Sequence, residues 1–374
     1  MNDHVSTSRN TSADFAVDRY IRHATDAVMT GDTINGRKVV GFVYAPPIWV
    51  EVPSAAHDHV ILEGEIDIPD RPLIDTGEAV NRCGALPPHH LPDKHVHDAD
   101  VLETRLSKSI TELTIQAADP VGEFFTQLFK EVADRGHLIW AVGGSVRDIM
   151  TNSSQINDLD FSGTMPPGHM ASTVKDILDG IGMSHLPVKV SEGRVCSVQI
   201  DKDEALPLLE YKALTLKLFP FPASGGDLLA DAGARDLTIN SLYYDPDRRV
   251  LLDPTGHGIA DLGGSVRVLR VPYRYADPWD QACILLRLMK FVARWGVRAT
   301  NLDQSARWAS ALPDDLFNQI PNQHWPKLRK VHDYCLLGCS HEMRAEAAAA
   351  VGPMAIRLLG EIEERGGQGH APSS

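Results

Sequence analysis

LIWAVGGSVRDIMTNSSQINDLDFS, residues 138–162, opens with an apolar run and breaks at the pair Gly143 and Gly144. The pattern predicts a strand over 138–142, a short helix over 145–150, a polar turn, and a second strand carrying Asp158 and Asp160. Side chains at i and i+2 of a strand project to the same face, so the two carboxylates would stand together. Carboxylate oxygens are hard ligands suited to divalent cations. The glycines let backbone amides approach a phosphate closely, and a helix starting at Ser145 adds its positive end. Alone, a Gly-Gly before a helix is an ordinary turn, and a lone Asp-x-Asp is an ordinary solvated edge. Together they are the equipment for moving a nucleotidyl group with two metal ions.

The order strand, Gly-Gly-x-Val-Arg-Asp, then Asp-x-Asp on a second strand resembles the signature of class II tRNA nucleotidyltransferases and bacterial poly(A) polymerases, within the polymerase-beta superfamily. The resemblance implies an α/β (α+β) nucleotidyltransferase head joined to a helical neck and body. It implies two Mg²⁺ ions held by Asp158 and Asp160, and a nucleoside triphosphate, ATP or CTP, handled by Gly143, Gly144, Ser145, Arg147 and Asp148. Glu210, in the strand-like LLEYKAL, stands where relatives carry a Glu and is a candidate third carboxylate; a plain surface residue is the equal alternative.

Downstream, DLLADAGARDLTINSLYYD resembles the family segment in which Arg-Arg-Asp precedes Thr-Ile-Asn. Arg235, Asp236 and Asn240 match it, while Ala234 replaces the first Arg. The resemblance assigns ribose and triphosphate contacts to Asp236 and Arg235. That suits a carboxylate facing a hydroxyl and a guanidinium facing phosphate. LLDPTGHGIADLGGSVRVLR, residues 251–270, looks like the family's glycine-rich hinge with one extra residue at His257, and makes Arg267 and Arg270 candidates for facing the active site. In relatives a Glu-Asp-x-x-Arg motif opens the neck helix and reads the base. Counting back without gaps from Leu286-Arg287-Leu288-Met289-Lys290-Phe291 puts Asp280, Gln281, Ala282, Cys283 and Ile284 there. Gln281 replaces the Asp and Ile284 the Arg, so base choice is expected to be altered or relaxed. Asp280, Gln281 and Arg287 remain nucleotide-binding candidates.

Composition frames these motifs. At 374 residues the chain has room for two or three domains, and 43% hydrophobic with 23% charged residues is ordinary for a globular protein. The formal net charge of −14 is unusual for a protein that touches RNA. More than half of that excess precedes Asp119, where 18 acidic residues face 10 basic ones. Five scattered cysteines show no zinc spacing, and no apolar run reaches the ~18 residues of a membrane span, so a cytoplasmic protein with reduced thiols is expected.

Residues 1–115 read as an N-terminal extension: a polar start expected to be disordered over 1–15, a short helix over 18–29, and a small β-rich region with strands over 39–44 and 60–66. His89, His90, His95, His97 and Asp98 are drawn more readily as a solvated Pro-rich linker than as a metal site. The head is expected over 116–250, with Asp119 capping a helix that starts at Pro120, and a further helix over 170–181. Hinge and neck follow over 251–300, and a short helical body over 301–374 with one Ala-rich helix at 342–364. Arg287, Lys290, Arg294, Arg298, Lys327, Arg329 and Lys330 make this half basic enough to track a phosphate backbone. The reading is template-independent transfer of NMP from NTP to an RNA 3′ end, with tRNA as the first guess. A transferase acting on another target and a non-catalytic RNA- or nucleotide-binding relative stay open.

Overall fold

A computed structural model describes the strands Thr33–Ile34, Arg37–Ala45, Val50–Glu51 and His57–Leu62, and residues 91–366 except 104, 152–158, 192–194, 200–206, 217–222, 225–227 and 274. The expectations for residues 1–15, 18–29, 63–66, His89 and His90, and Asp158 itself, lie outside these residues. The described chain divides into two compact units. The first takes in the described residues of 33–62, 91–231 and 243–252, and the second 232–242 and 253–366.

Among the described residues of the first unit, nine strands form one sheet. Their order is Val50–Glu51, Val188–Val190, Val195–Gln199, Pro207–Ala213, Asp160–Gly163, Ile139–Val142, Tyr243–Asp245, Val250–Leu252 and Val96–Asp98. Neighbours run antiparallel except Asp160–Gly163 beside Pro207–Ala213, which are parallel. Ile139–Val142 is buried at all four positions, as a continuous apolar run in the middle of a sheet should be. Phe161, 1% exposed, packs its ring 5.7 Å from Phe125 and 5.9 Å from Phe129 of the helix Val121–Asp134. That helix and Pro167–Gly180 pack on each other, supplying Phe124, Leu128, Val132, Val174 and Ile177 to the core. Truncating Phe161 to Ala would cost about 3–5 kcal/mol. A second sheet pairs Arg37–Ala45 with Thr33–Ile34, His57–Leu62 and Ala223–Ser224, the last joined in turn to Thr215–Leu216.

Several boundaries differ from those the sequence suggests. Val96–Asp98 is not linker: it pairs with Val250–Leu252 at the edge of the main sheet. Asp98 there accepts from the amides of Asp100 and Val101, capping the helix Ala99–Leu102. Asp119 does not cap; the helix begins at Val121, with Pro120 in the cap position. The helix expected from 170 starts at Pro167, where proline's missing N–H costs nothing in the first turn.

The second unit is helical. Pro278–Trp295 is its longest helix, followed by Asp303–Ser310, Trp325–Cys335, His341–Val351 and Pro353–Gly366. Leu285, Leu286, Leu288, Met289, Trp308, Trp325, Leu328 and Leu358 fill its core. The single Ala-rich helix expected over 342–364 is two helices. Gly352 adopts φ +123° and Pro353 starts the next helix, so the chain turns between them. Arg267–Val268 pairs in parallel with Thr300–Asn301.

Candidate active site

In the first unit the register places the carboxylates. Asp160 pairs with Val142 on one side and, in parallel, with Glu210 on the other. Paired residues of parallel strands share a face and lie about 4.8 Å apart. Asp160 and Glu210 are therefore neighbours, Glu210 exposed and Asp160 partly so. Because Val142 ends its strand opposite Asp160, the chain turns at Gly143 beside that carboxylate. Gly143 has φ +72°, and a Cβ there would sit 3.7 Å from Asp160 Oδ2. The helix that follows, Gly144–Met150, is seven residues long. Its polar residues face inward. Ser145, 2% exposed, donates its hydroxyl to the Val142 carbonyl. Arg147 and Asp148 are both 6% exposed and joined Nε to Oδ1 at 2.9 Å. This pair offers little surface to a ligand. Among the described residues, no group of three or more His, Cys, Asp or Glu is arranged to hold a metal ion.

In the second unit three of the sequence-selected residues converge. Asp236 accepts from the Asn240 amide at 3.0 and 3.2 Å, and from Arg287 Nε at 3.0 Å. The Asp236 charge holds the Arg287 guanidinium above its ordinary pKa against the opposing effect of burial. A carboxylate clamped between an amide and a guanidinium is fixed in orientation, as a group reading a sugar hydroxyl must be. Arg235 turns back to the Asn240 carbonyl at 3.4 Å.

The other candidates are engaged elsewhere. Arg270 does not join the cluster; it binds Asp261, Nε to Oδ2 at 3.0 Å and Nη2 to Oδ1 at 3.4 Å. Asp261 also accepts from the Thr238 hydroxyl at 2.7 Å. The segment expected to act as a hinge is thus tied to the turn Thr238–Asn240. Gly258 fits that turn so closely that a Cβ would lie 2.7 Å from the Thr238 carbonyl and 2.8 Å from Leu242. Sequence reading picked Arg270 but not Asp261, since no spacing rule announces a buried counter-charge.

The neck helix opens at Pro278, with Asp277 accepting from the amides of Trp279 and Asp280. Residues 280–284 therefore fall within its first two turns. Asp280 accepts from the Tyr273 hydroxyl at 2.7 Å. Burial, with the Asp280 charge and hydrogen bond adding to it, pushes the Tyr273 phenol well above its usual range. Gln281 is 1% exposed and donates to the Tyr275 carbonyl at 2.9 Å, while Ile284 is 3% exposed. The expectation that Gln281 could pair with a base meets a side chain already buried and bonded.

Residues 139–268 match the family model described as the Poly A polymerase head domain. Solved structures resemble the chain more loosely. The Thermotoga maritima CCA-adding enzyme complexed with tRNA is 19% identical, with 68% of this chain and 54% of that chain covered and a TM-score of 0.45. A tRNA nucleotidyltransferase complexed with a primer tRNA and an incoming ATP analog is 20% identical, at 65% and 63% coverage and a TM-score of 0.44. A CCA-adding enzyme with ATP is 19% identical, at 68% and 53% coverage and a TM-score of 0.46. The chain spans about half to two thirds of the length of these proteins. No curated protein matches it. Among the described residues no helix is long and apolar enough to cross a membrane. Over residues 139–268, then, the chain is similar to the Poly A polymerase head domain.

Proposed function

We propose that the protein transfers a nucleoside monophosphate from an NTP to the 3′ hydroxyl of an RNA, with tRNA the first candidate, releasing pyrophosphate. The observation that carries this reading is the register of Asp160 with Glu210 beside the Gly143 turn, within a matched poly(A) polymerase head segment. Mg²⁺ commonly binds through one or two carboxylates plus substrate phosphates, so oxygen donors in register at a strand start fit it without a three-residue cage. Asp160, with Asp158 and Glu210, would hold the ions, and bound Mg²⁺ would supply charge stabilisation for the triphosphate and lower the pKa of the attacking hydroxyl.

The chain's own residues do the positioning. The Gly143-Gly144 backbone, without side chains, admits the phosphates next to Asp160. Arg147 and Asp148, bonded to each other inside the fold, belong to the helix that follows that turn. Asp236, fixed by Asn240 and Arg287, accepts from a ribose hydroxyl, and Arg235 lies next to it in sequence for the phosphates. The test is transfer of labelled NMP to RNA by the full chain. Asp160→Ala should abolish transfer while leaving the urea unfolding midpoint near wild type. Transfer at a near wild-type rate in that variant would remove the metal assignment.

A further inference from the structure

The second unit carries a basic strip that meets the site described above only at Arg287. On the neck helix Pro278–Trp295, Arg287 and Lys290, both partly exposed, and the exposed Arg294 recur at helical spacing. The neighbouring helix Trp325–Cys335 presents Lys327, Lys330 and Tyr334 on its outer face. The two rows meet where Lys290 Nζ lies 4.6 Å from the centroid of the Tyr334 ring. That ring is 60% exposed, and Leu337, one turn further along the chain, is 82% exposed. A large aromatic held at the surface by a cation, in a chain of net charge −14, is not explained by packing. Two acids beside the strip are already paired. Asp236 is bound to Arg287, and Asp333 to Arg329 at 3.2 Å.

We propose that this strip is a docking site for single-stranded RNA, in which Tyr334 stacks on a nucleobase while Lys290, Arg294 and Lys330 follow the phosphates. Proteins that hold single strands without reading sequence combine a positive track with aromatic platforms, because every base has a π face. Lys290 over the ring serves both purposes: it fixes the platform and leaves its charge beside the backbone that passes over it. A duplex cannot use the platform, since its bases are already stacked. The strip therefore fits the unpaired 3′ end of an acceptor. The inference rests on the proposed transfer to an RNA 3′ end, and it names a surface of the second unit that holds single-stranded RNA.

The experiment measures fluorescence anisotropy of a short labelled single-stranded RNA with the full-length protein, beside the transfer assay on the same preparation. Tyr334→Ala should weaken binding about 5- to 150-fold, the usual loss for one stacked base. Tyr334→Phe, which keeps the ring, should bind within about twofold of wild type. Lys290→Ala should reduce the salt slope of log K by about one. Tyr334 is largely exposed, so unfolding midpoints should not move. Binding of Tyr334→Ala equal to wild type would overturn the proposal. So would displacement of the RNA by duplex RNA or polyglutamate as effective as by single-stranded RNA, which would show charge attraction without stacking. A wild type that binds RNA in this way but transfers no nucleotide would sink the transferase reading and leave the strip standing.

Discussion

Asp261→Asn tests whether the turn Thr238–Asn240, which follows Asp236, depends on a buried ion pair. Asp261 is 3% exposed, and its carboxylate takes the Thr238 hydroxyl at 2.7 Å and Arg270 at 3.0 and 3.4 Å. The backbone reinforces the tie, because the Thr238 amide donates to the Arg270 carbonyl at 3.0 Å. Asparagine keeps the shape and one acceptor but deletes the charge. Removing one partner of a buried pair costs about 3–5 kcal/mol, because the other charge stays desolvated. The Arg270 side chain is 24% exposed, so water recovers part of that loss. We expect about 2–3 kcal/mol from the ion pair, with a further fraction from the weakened Thr238 bond. The assay is urea unfolding followed by tryptophan fluorescence, since Trp295, Trp308 and Trp325 all belong to the second unit. The midpoint should fall at constant m. Arg270→Met should cost a similar amount, and the double variant should cost less than the sum by about 1–3 kcal/mol. Simple addition of the two losses, or a shift under about 0.5 kcal/mol for Asp261→Asn, would refute the strut.

Asp236→Ala should weaken use of NTP and narrow its preference over dNTP, because the carboxylate fixed by Asn240 and Arg287 is gone; unchanged discrimination between ATP and dATP would take Asp236 out of the site. Burial pushes the Cys196 thiol from 9.0 up to about 12, so in the folded chain it holds its proton where the unfolded thiol loses it. The associated stability is complete below pH 9 and is lost as pH rises toward 12, by at most about 1.4 kcal/mol per pH unit. Cys196→Ala should flatten the alkaline fall in urea midpoint, and an unchanged slope would count against the assignment. On a tRNA lacking its terminal CCA, sequencing should find one nucleotide used throughout or loose choice among several; faithful CCA ends would show that base reading lies outside residues 280–284.

The head was legible because its signals are local. An apolar run, a glycine pair and a carboxylate strand follow one another within residues 138–162, and each obeys a backbone rule that does not depend on distant contacts. The strands at 188–190, 195–199 and 207–213 likewise show in their apolar patterns. What was not legible depends on partners far along the chain. Val96–Asp98 reads as linker because its histidines and aspartates are polar, and it becomes a strand only by pairing with Val250–Leu252. The Ala-rich segment has helical propensity throughout, and only Gly352 followed by Pro353 divides it. That signal was present in the sequence and was outweighed by the composition around it.

For the candidate site the dividing line is burial of polar groups. Sequence resemblance selects residue types, but it does not say whether a side chain faces a ligand or a neighbour. Asp236, Asn240 and Arg287 were selected separately and are found bonded to one another, while Arg270 and Gln281 were selected on the same grounds and are bonded elsewhere. The neck shows why. Its helix opens at Asp277 and Pro278, so positions 281 and 284, three apart, share one face, and that face is buried. A glutamine there must satisfy its amide inside the protein, and Tyr275 supplies the acceptor. Leaving that bond to meet a base would strand a buried amide at a cost of about 1–3 kcal/mol, as much as one hydrogen bond to a base returns. Selectivity through Gln281 would therefore be nearly cancelled by the bond it breaks, whereas farther along this helix the partly exposed Lys290 and the exposed Arg294 carry charge at the surface. Those are cations, which favour phosphate over any one base, so under the proposed transfer this neck would hold a strand more firmly than it would choose a letter.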